Sequence, residues 1–255
     1  STPLENPMKL ALVKSLAVAA VATLPLMASA QLTANVSLTT NYKFRGQDQD
    51  VIGKNGTVKD KAVKPALQGG FDYAHESGFY IGNWNSSVNW LPGNSLESDI
   101  YGGYKFKAAD IDFDVGLLSY IYAGNSLGNT TEIYGGATFG PLTAKYSHTV
   151  SEDYFGWAGT SIGSGKKGRN TGYLNFAFAQ EVFPKTTLKA SVGFTRFASD
   201  IKDNGVPNYM DYSVGGAYDL GEGFSLGAAV VGANKRGFFG PVNKNRLIVS
   251  LTKTL

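Results

Sequence analysis

Hydrophobic and polar residues trade places with a period of two along most of this chain. Ala34, Val36, Leu38, Thr40, Tyr42 and Phe44 are apolar or neutral, and the residues between them, Asn35, Ser37, Thr39, Asn41, Lys43 and Arg45, are polar or basic. Side chains of an extended strand point alternately to opposite faces, so the pattern predicts strand with one apolar and one polar face. The same reading holds over twelve segments, roughly 33–45, 65–74, 79–90, 96–106, 111–122, 130–139, 142–151, 171–181, 187–197, 209–219, 224–234 and 245–255. Several run about ten residues, the length a tilted strand needs to cross a bilayer, against about five or six in soluble sheets. No segment after residue 30 carries a helical period, and 32 glycines disfavour helix further. The expected fold is all-β: an antiparallel transmembrane β-barrel of about twelve strands over residues 31–255.

The polarity of the two faces decides between this barrel and a secreted β-sandwich, which would bury its apolar face and show charge outside. In 96–106 every charge falls on one side, with Leu96, Ser98, Ile100, Gly102, Tyr104 and Phe106 opposite Glu97, Asp99, Tyr101, Gly103, Lys105 and Lys107. In lipid the charged side has to face the interior. The last segment repeats this, Leu247, Val249, Leu251 and Leu255 standing opposite Arg246, Ile248, Ser250, Thr252 and Thr254. Connections alternate between tight turns such as Gly140-Pro141 and long polar loops such as Gly46 to Lys64 and Glu152 to Asn170, which predicts turns on the periplasmic side and loops outside. Tyr42, Phe44, Trp90, Tyr104, Phe106, Tyr146, Tyr212 and Tyr218 fall near strand ends, where aromatic girdles are expected.

The N-terminus points to export. Lys9 and Lys14 precede an apolar stretch from Leu16 to Met27, and Ala28-Ser29-Ala30 supplies a cleavage site before Gln31. The stretch falls short of the ~20 residues of a spanning helix, so residues 8–30 read as a signal peptide and 1–7 as an upstream extension or tag. Removing Lys9, Lys14 and Glu5 takes the 23 basic and 20 acidic side chains to 21 and 19, a near-neutral chain with no basic surface for nucleic acid. There is no cysteine, hence no disulfide and no thiolate metal site.

Three groups of residues invite a chemical reading. Gly163-Ser164-Gly165-Lys166-Lys167-Gly168 spells the dinucleotide fingerprint, but the strand-to-helix turn that makes it work is missing, so it reads as a mobile outer loop. His148 has Ser147, Ser151 and Glu152 nearby, the raw material of a lipid-modifying hydrolase, yet both serines point to the face opposite His148. No catalytic residue, metal ligand or cofactor is therefore assigned. Lys43, Arg45, Asp72, Glu97, Asp99, Lys105, Glu132, Lys145, Asp211, Asp219 and Arg246 share the predicted interior face and are the candidate pore-lining set. They either pair and brace the wall or set a transverse field for passing solutes.

Residues 35–46, Asn-Val-Ser-Leu-Thr-Thr-Asn-Tyr-Lys-Phe-Arg-Gly, with 65–82, beginning Pro-Ala-Leu-Gln-Gly-Gly-Phe-Asp-Tyr, resemble the TorF family of porins, a proteobacterial outer-membrane family of formerly unknown function. Here Gln47 to Lys64 make a longer, charged first loop between the Arg-Gly and Pro-Ala motifs than is usual in that family. The resemblance implies an outer-membrane channel-like protein and brings no established substrate or catalytic residue.

The reading is a Gram-negative outer-membrane porin that passes small hydrophilic solutes by diffusion, with no cofactor and no covalent step. Outer-membrane lipid and lipopolysaccharide are its expected neighbours. The oligomeric state is open, and the alternatives are a lipid-modifying enzyme using His148 or a structural or adhesive barrel. About twelve strands predict a narrow bore, between the plugged eight-stranded barrels and the open sixteen-stranded ones.

Overall fold

Residues 31–157 and 165–255 are described by the computed structural model. The predicted signal peptide and upstream extension lie outside the described residues, as do Gly163 and Ser164 of the glycine-lysine loop. The alternation at the start of the mature chain becomes strand β1 (Gln31–Thr39), followed by two short strands, β2 (Lys43–Phe44) and β3 (Gln47–Asp48). Eleven longer strands come next: β4 (Ala66–Ala74), β5 (Phe79–Ser87), β6 (Leu96–Ala108), β7 (Ile111–Ile121), β8 (Thr130–Phe139), β9 (Leu142–Thr149), β10 (Gly172–Phe183), β11 (Thr186–Arg196), β12 (Tyr209–Gly221), β13 (Phe224–Ala233) and β14 (Arg246–Thr254).

Each long strand pairs with its neighbour in sequence, and β1 pairs with β14 in antiparallel register from Asn35↔Thr254 to Thr39↔Ser250, closing a barrel of twelve strands. Closure pairs the two strands that would otherwise be edges, so the hydrogen-bonded ladder runs around the whole wall. The exterior is apolar: Leu32, Leu38, Leu67, Phe71, Ile81, Ile100, Ile133, Val214 and Leu247 are each exposed by between 47% and 68%. Alternate residues point inward and are polar and buried, among them Thr33, Ser37, Gln68, Glu97, Asp99, Glu132 and Ser250. A wall that is polar inside and apolar outside is stable only with lipid around it, which places the protein in an outer membrane.

All the tight connections lie at one end. Residues 109–110, 140–141, 184–185 and 222–223 are two-residue turns, and Ala109, Gly140, Lys185, Glu222 and Gly223 carry the positive φ such turns use. On the lipid face at this end Phe79 packs on Tyr104 at 4.8 Å and Phe106 stacks on Phe113 at 5.2 Å, an aromatic girdle. The other end carries the long connections. There Tyr154, Phe197, Ile201, Val206, Tyr209 and Ala233 form an apolar cluster, with Ile201 of the short helix α1 (Ser199–Asp203) fully buried.

Three expected girdle residues are elsewhere. The first strand stops at Thr39 rather than running to residue 45, so Tyr42 is buried inside the barrel and Phe44 packs on Tyr120 and Phe155 within it. The break is local chemistry: the Thr39 hydroxyl donates to the Asn41 carbonyl, and the Asn41 amide turns to the Asp48 carboxylate. Trp90 lies beyond the end of β5 and packs edge-on against Tyr122. Tyr146 and Tyr218 do face outward, each 46% exposed.

Candidate functional site

The chain between β1 and β4 enters the barrel. β2 and β3 pair through Phe44↔Gln47 as a two-residue hairpin whose tip is Arg45-Gly46, both at positive φ (46° and 75°). This is the turn form that suits the twist of paired strands. Only glycine fits at 46, because a Cβ there would lie 2.6 Å from the Asp211 Cβ and 2.7 Å from the Gly232 carbonyl oxygen.

The tip crosses the whole bore. In the closed ring β9 is diametrically opposite β1, and Arg45 touches both strands that flank it. Its guanidinium donates to both carboxylate oxygens of Glu132 on β8, at 2.9 and 2.7 Å, and to the Tyr154 hydroxyl at 3.0 Å. It also lies over the Tyr173 ring of β10, 4.2 Å from the centroid. Two parallel bonds to one carboxylate fix the plane of the guanidinium as well as its position. The side chains of this pair are only 5% and 1% exposed.

Asp48, at the foot of the hairpin, holds it there. The carboxylate accepts from Lys43 at 3.0 Å, Lys64 at 2.5 Å, Arg246 at 3.2 Å and the Asn41 amide at 3.1 Å. Lys43 also donates to the carbonyls of Gly46 and Val242. Arg246 is shared with Asp60 at 2.9 Å, and Lys244 reaches Asp60 from the rim. Taking these charges out of water is costly, so an arrangement in which one carboxylate answers three cations persists only because every partner is placed. Lys43 lies outside the spanning strands, and burial pushes its ammonium down to about 8 although Asp48 acts in the opposite sense.

Facing this cationic side, Tyr42 donates to Glu97 at 2.7 Å, and Tyr122 donates to the other oxygen of the same carboxylate. Asp99 is 3% exposed and its Oδ1 has no hydrogen-bond partner. Neither carboxyl group meets a cation at ion-pairing distance among the described residues. Nearer the turn end the charges meet phenols: Asp72 accepts from Tyr101 at 2.6 Å, Lys105 lies over the Tyr80 ring at 4.9 Å, and Lys145 over Tyr134 at 3.7 Å. Asp211 accepts from Tyr173 at 3.2 Å. Asp219 is exposed at the turn, where it accepts from the Gly221 N–H, so it stands apart from the group.

Lys43 and Arg45 thus reach the lumen on an inward hairpin rather than on the barrel wall. Asp48 and Lys64, which anchor that hairpin, were not in the expected set, since nothing in the spacing of a polar loop tells whether it folds in or out. Lys189 was missed as well. Its inward position follows from strand parity, and it has no ion pair among the described residues, its two lateral neighbours being Ala179 and Gly215. His148 pairs with Tyr146 at 3.2 Å and Asn170 at 3.1 Å, while the Ser151 hydroxyl donates to the Asp153 carbonyl, so His148 is engaged by neither Ser147 nor Ser151.

Solved porin structures share this architecture. The KdgM porin matches with a TM-score of 0.54 at 9% identity, covering 87% of this chain and 98% of its own. The same porin in complex with disordered oligogalacturonate matches with a TM-score of 0.53 at 9% identity over 87% and 97%. The NanC porin gives 0.51 at 10% identity over 88% and 98%. At such identities the likeness is one of fold. No curated protein is a recognisable relative in sequence. One family description matches residues 26–254, and the chain accordingly belongs to Gcw_chp, a family of bacterial proteins of unknown function.

Proposed function

We propose that the protein is an outer-membrane diffusion channel for small hydrophilic solutes, its bore narrowed by the hairpin of β2 and β3. The observation that carries this reading is a closed barrel with an apolar exterior and a charged interior, crossed by a chain segment that the wall anchors at Glu132 and Arg246. Residues 8–30 act as a signal peptide in this reading, the turn end faces the periplasm, and the long connections face outward among lipopolysaccharide. Lys43, Arg45, Asp72, Glu97, Asp99, Lys105, Glu132, Lys145, Asp211 and Arg246 line the passage, joined by Lys189. The resemblance of 35–46 and 65–82 to the TorF porins supports the same assignment.

Passage needs no covalent step. Phenols, carboxylates and ammonium groups along the wall replace part of a solute's hydration shell, and none holds it so tightly that it fails to leave. The separation of His148 from Ser147 and Ser151 argues against the lipid-modifying alternative. Oligogalacturonate on KdgM illustrates the kind of solute a barrel of this fold admits. The test is swelling of proteoliposomes in a graded series of neutral and charged small solutes. Rates that fall with solute size support the channel, whereas no swelling with any solute overturns it in favour of an adhesive or structural barrel.

A further inference from the structure

The outer wall carries a groove of about 710 Å³ at the loop end of β9, β10 and β11, separate from the lumen. Register builds it. Tyr146, Leu174 and Phe194 are lateral partners on three adjacent strands and form one apolar row on the lipid face. The next outward row, toward the loops, is His148, Gly172 and Arg196. Rows on one face are two residues apart, roughly 7 Å along the strands. Gly172, between two larger side chains, gives room to the Tyr146 ring, whose hydroxyl lies 2.5 Å from where a Cβ would stand.

Charge accompanies the groove. Lys167, Arg169, Arg196 and Lys202 line the groove against one carboxylate, Asp200. Lys167 is already engaged by Glu152 at 2.9 Å, and Asp200 accepts from the Lys167 backbone N–H at 2.8 Å. Arg169, Arg196 and Lys202 have no ion pair among the described residues. An exposed arginine one row above an outward phenylalanine, at the last residue of β11, stands where hydrocarbon gives way to headgroups and is placed to meet an anion there.

We propose that this groove binds the phosphate-bearing headgroup of an outer-leaflet glycolipid. Arg169, Arg196 and Lys202 hold the phosphate, and the Tyr146, Leu174 and Phe194 row takes the acyl chains. Apolar wall below and unpaired cations above match an amphiphile with a phosphorylated head, and a free phosphate would leave the apolar row unused. The assignment rests on the long connections facing outward, as in the function proposed above.

The full barrel, refolded in detergent, would be offered a bisphosphorylated, acylated glucosamine disaccharide, its dephosphorylated form, and phosphatidylglycerol, with retention read by native mass spectrometry. The bisphosphorylated lipid should bind, with the other two at least about tenfold weaker. Loss of two charge-assisted contacts in Arg169→Gln/Arg196→Gln should cost about tenfold or more, and Lys202→Gln, at a partly exposed position of α1, should move the same way. Equal retention of all three lipids, unchanged retention by the variants, or displacement by millimolar inorganic phosphate would overturn the site. Conductance of the same samples keeps the two proposals separate: lipid retention without channels fails the channel alone, and channels without lipid selectivity fail the groove alone.

Discussion

Asp48 is the residue on which the lumen arrangement turns, because it answers Lys43, Lys64 and Arg246 at once while only 1% exposed. Asp48→Ala strands the buried Lys43 and Lys64 and leaves Arg246 to Asp60 alone, a change worth about 3 to 5 kcal/mol where a buried pair is broken. The wall's ladder bonds do not pass through Asp48, so the expected result is release of the hairpin from an intact barrel. Single-channel conductance should rise while the heat-modifiable gel mobility of the barrel persists. Lys43 adds a pH dependence. Burial lowers it from its ordinary 10.5 to about 8, so between those values the docked hairpin binds fewer protons than the released one. Docking therefore tightens as pH rises from about 8 to 10.5, and the lumen loses a positive charge on passing pH 8. The reversal potential in a salt gradient should move toward cation preference between pH 7 and 9, and this movement should be smaller in Lys43→Met.

At the scale of elements, β6 separates the two faces most cleanly. Ile100 is 47% exposed to lipid and Asp99 is 3% exposed inside. Ile100→Arg puts a charge into the bilayer at a cost of about 2 to 4 kcal/mol near the midplane, and assembly measured by folding into vesicles should fall. Asp99→Asn keeps size and polarity in the lumen and should fold as the parent does. Equal folding of both variants would contradict the face assignment. Parity of this kind made the strands and their inward residues legible from sequence, because in lipid a two-residue period admits one sidedness. It also misled. The alternation of Tyr42, Lys43, Phe44 and Arg45 is real, and Lys43 to Arg45 do form a strand and turn, but in a hairpin within the bore rather than as an extension of β1. A period of two reports strand and not which sheet it joins. The anchoring of that hairpin depends on Asp48 meeting Lys64 and Arg246, the latter 198 residues away in sequence, a contact that no local pattern encodes.

For the whole molecule, the twelve-stranded wall and the hairpin are separable by design. Thr39 and Ala66 are lateral partners on adjacent strands, so the ends of the inward segment lie one strand spacing apart and a short turn can join them. Replacing residues 41–63 by such a turn removes Arg45 and Asp48 together and leaves every barrel pairing in place. The most direct measurement is single-channel conductance in planar bilayers of the intact protein beside this shortened form. The intact protein should open small, steady channels and the shortened form clearly larger ones in the same salt. Equal conductance of the two, or no channel from either, would contradict a diffusion pore narrowed by its own first loop.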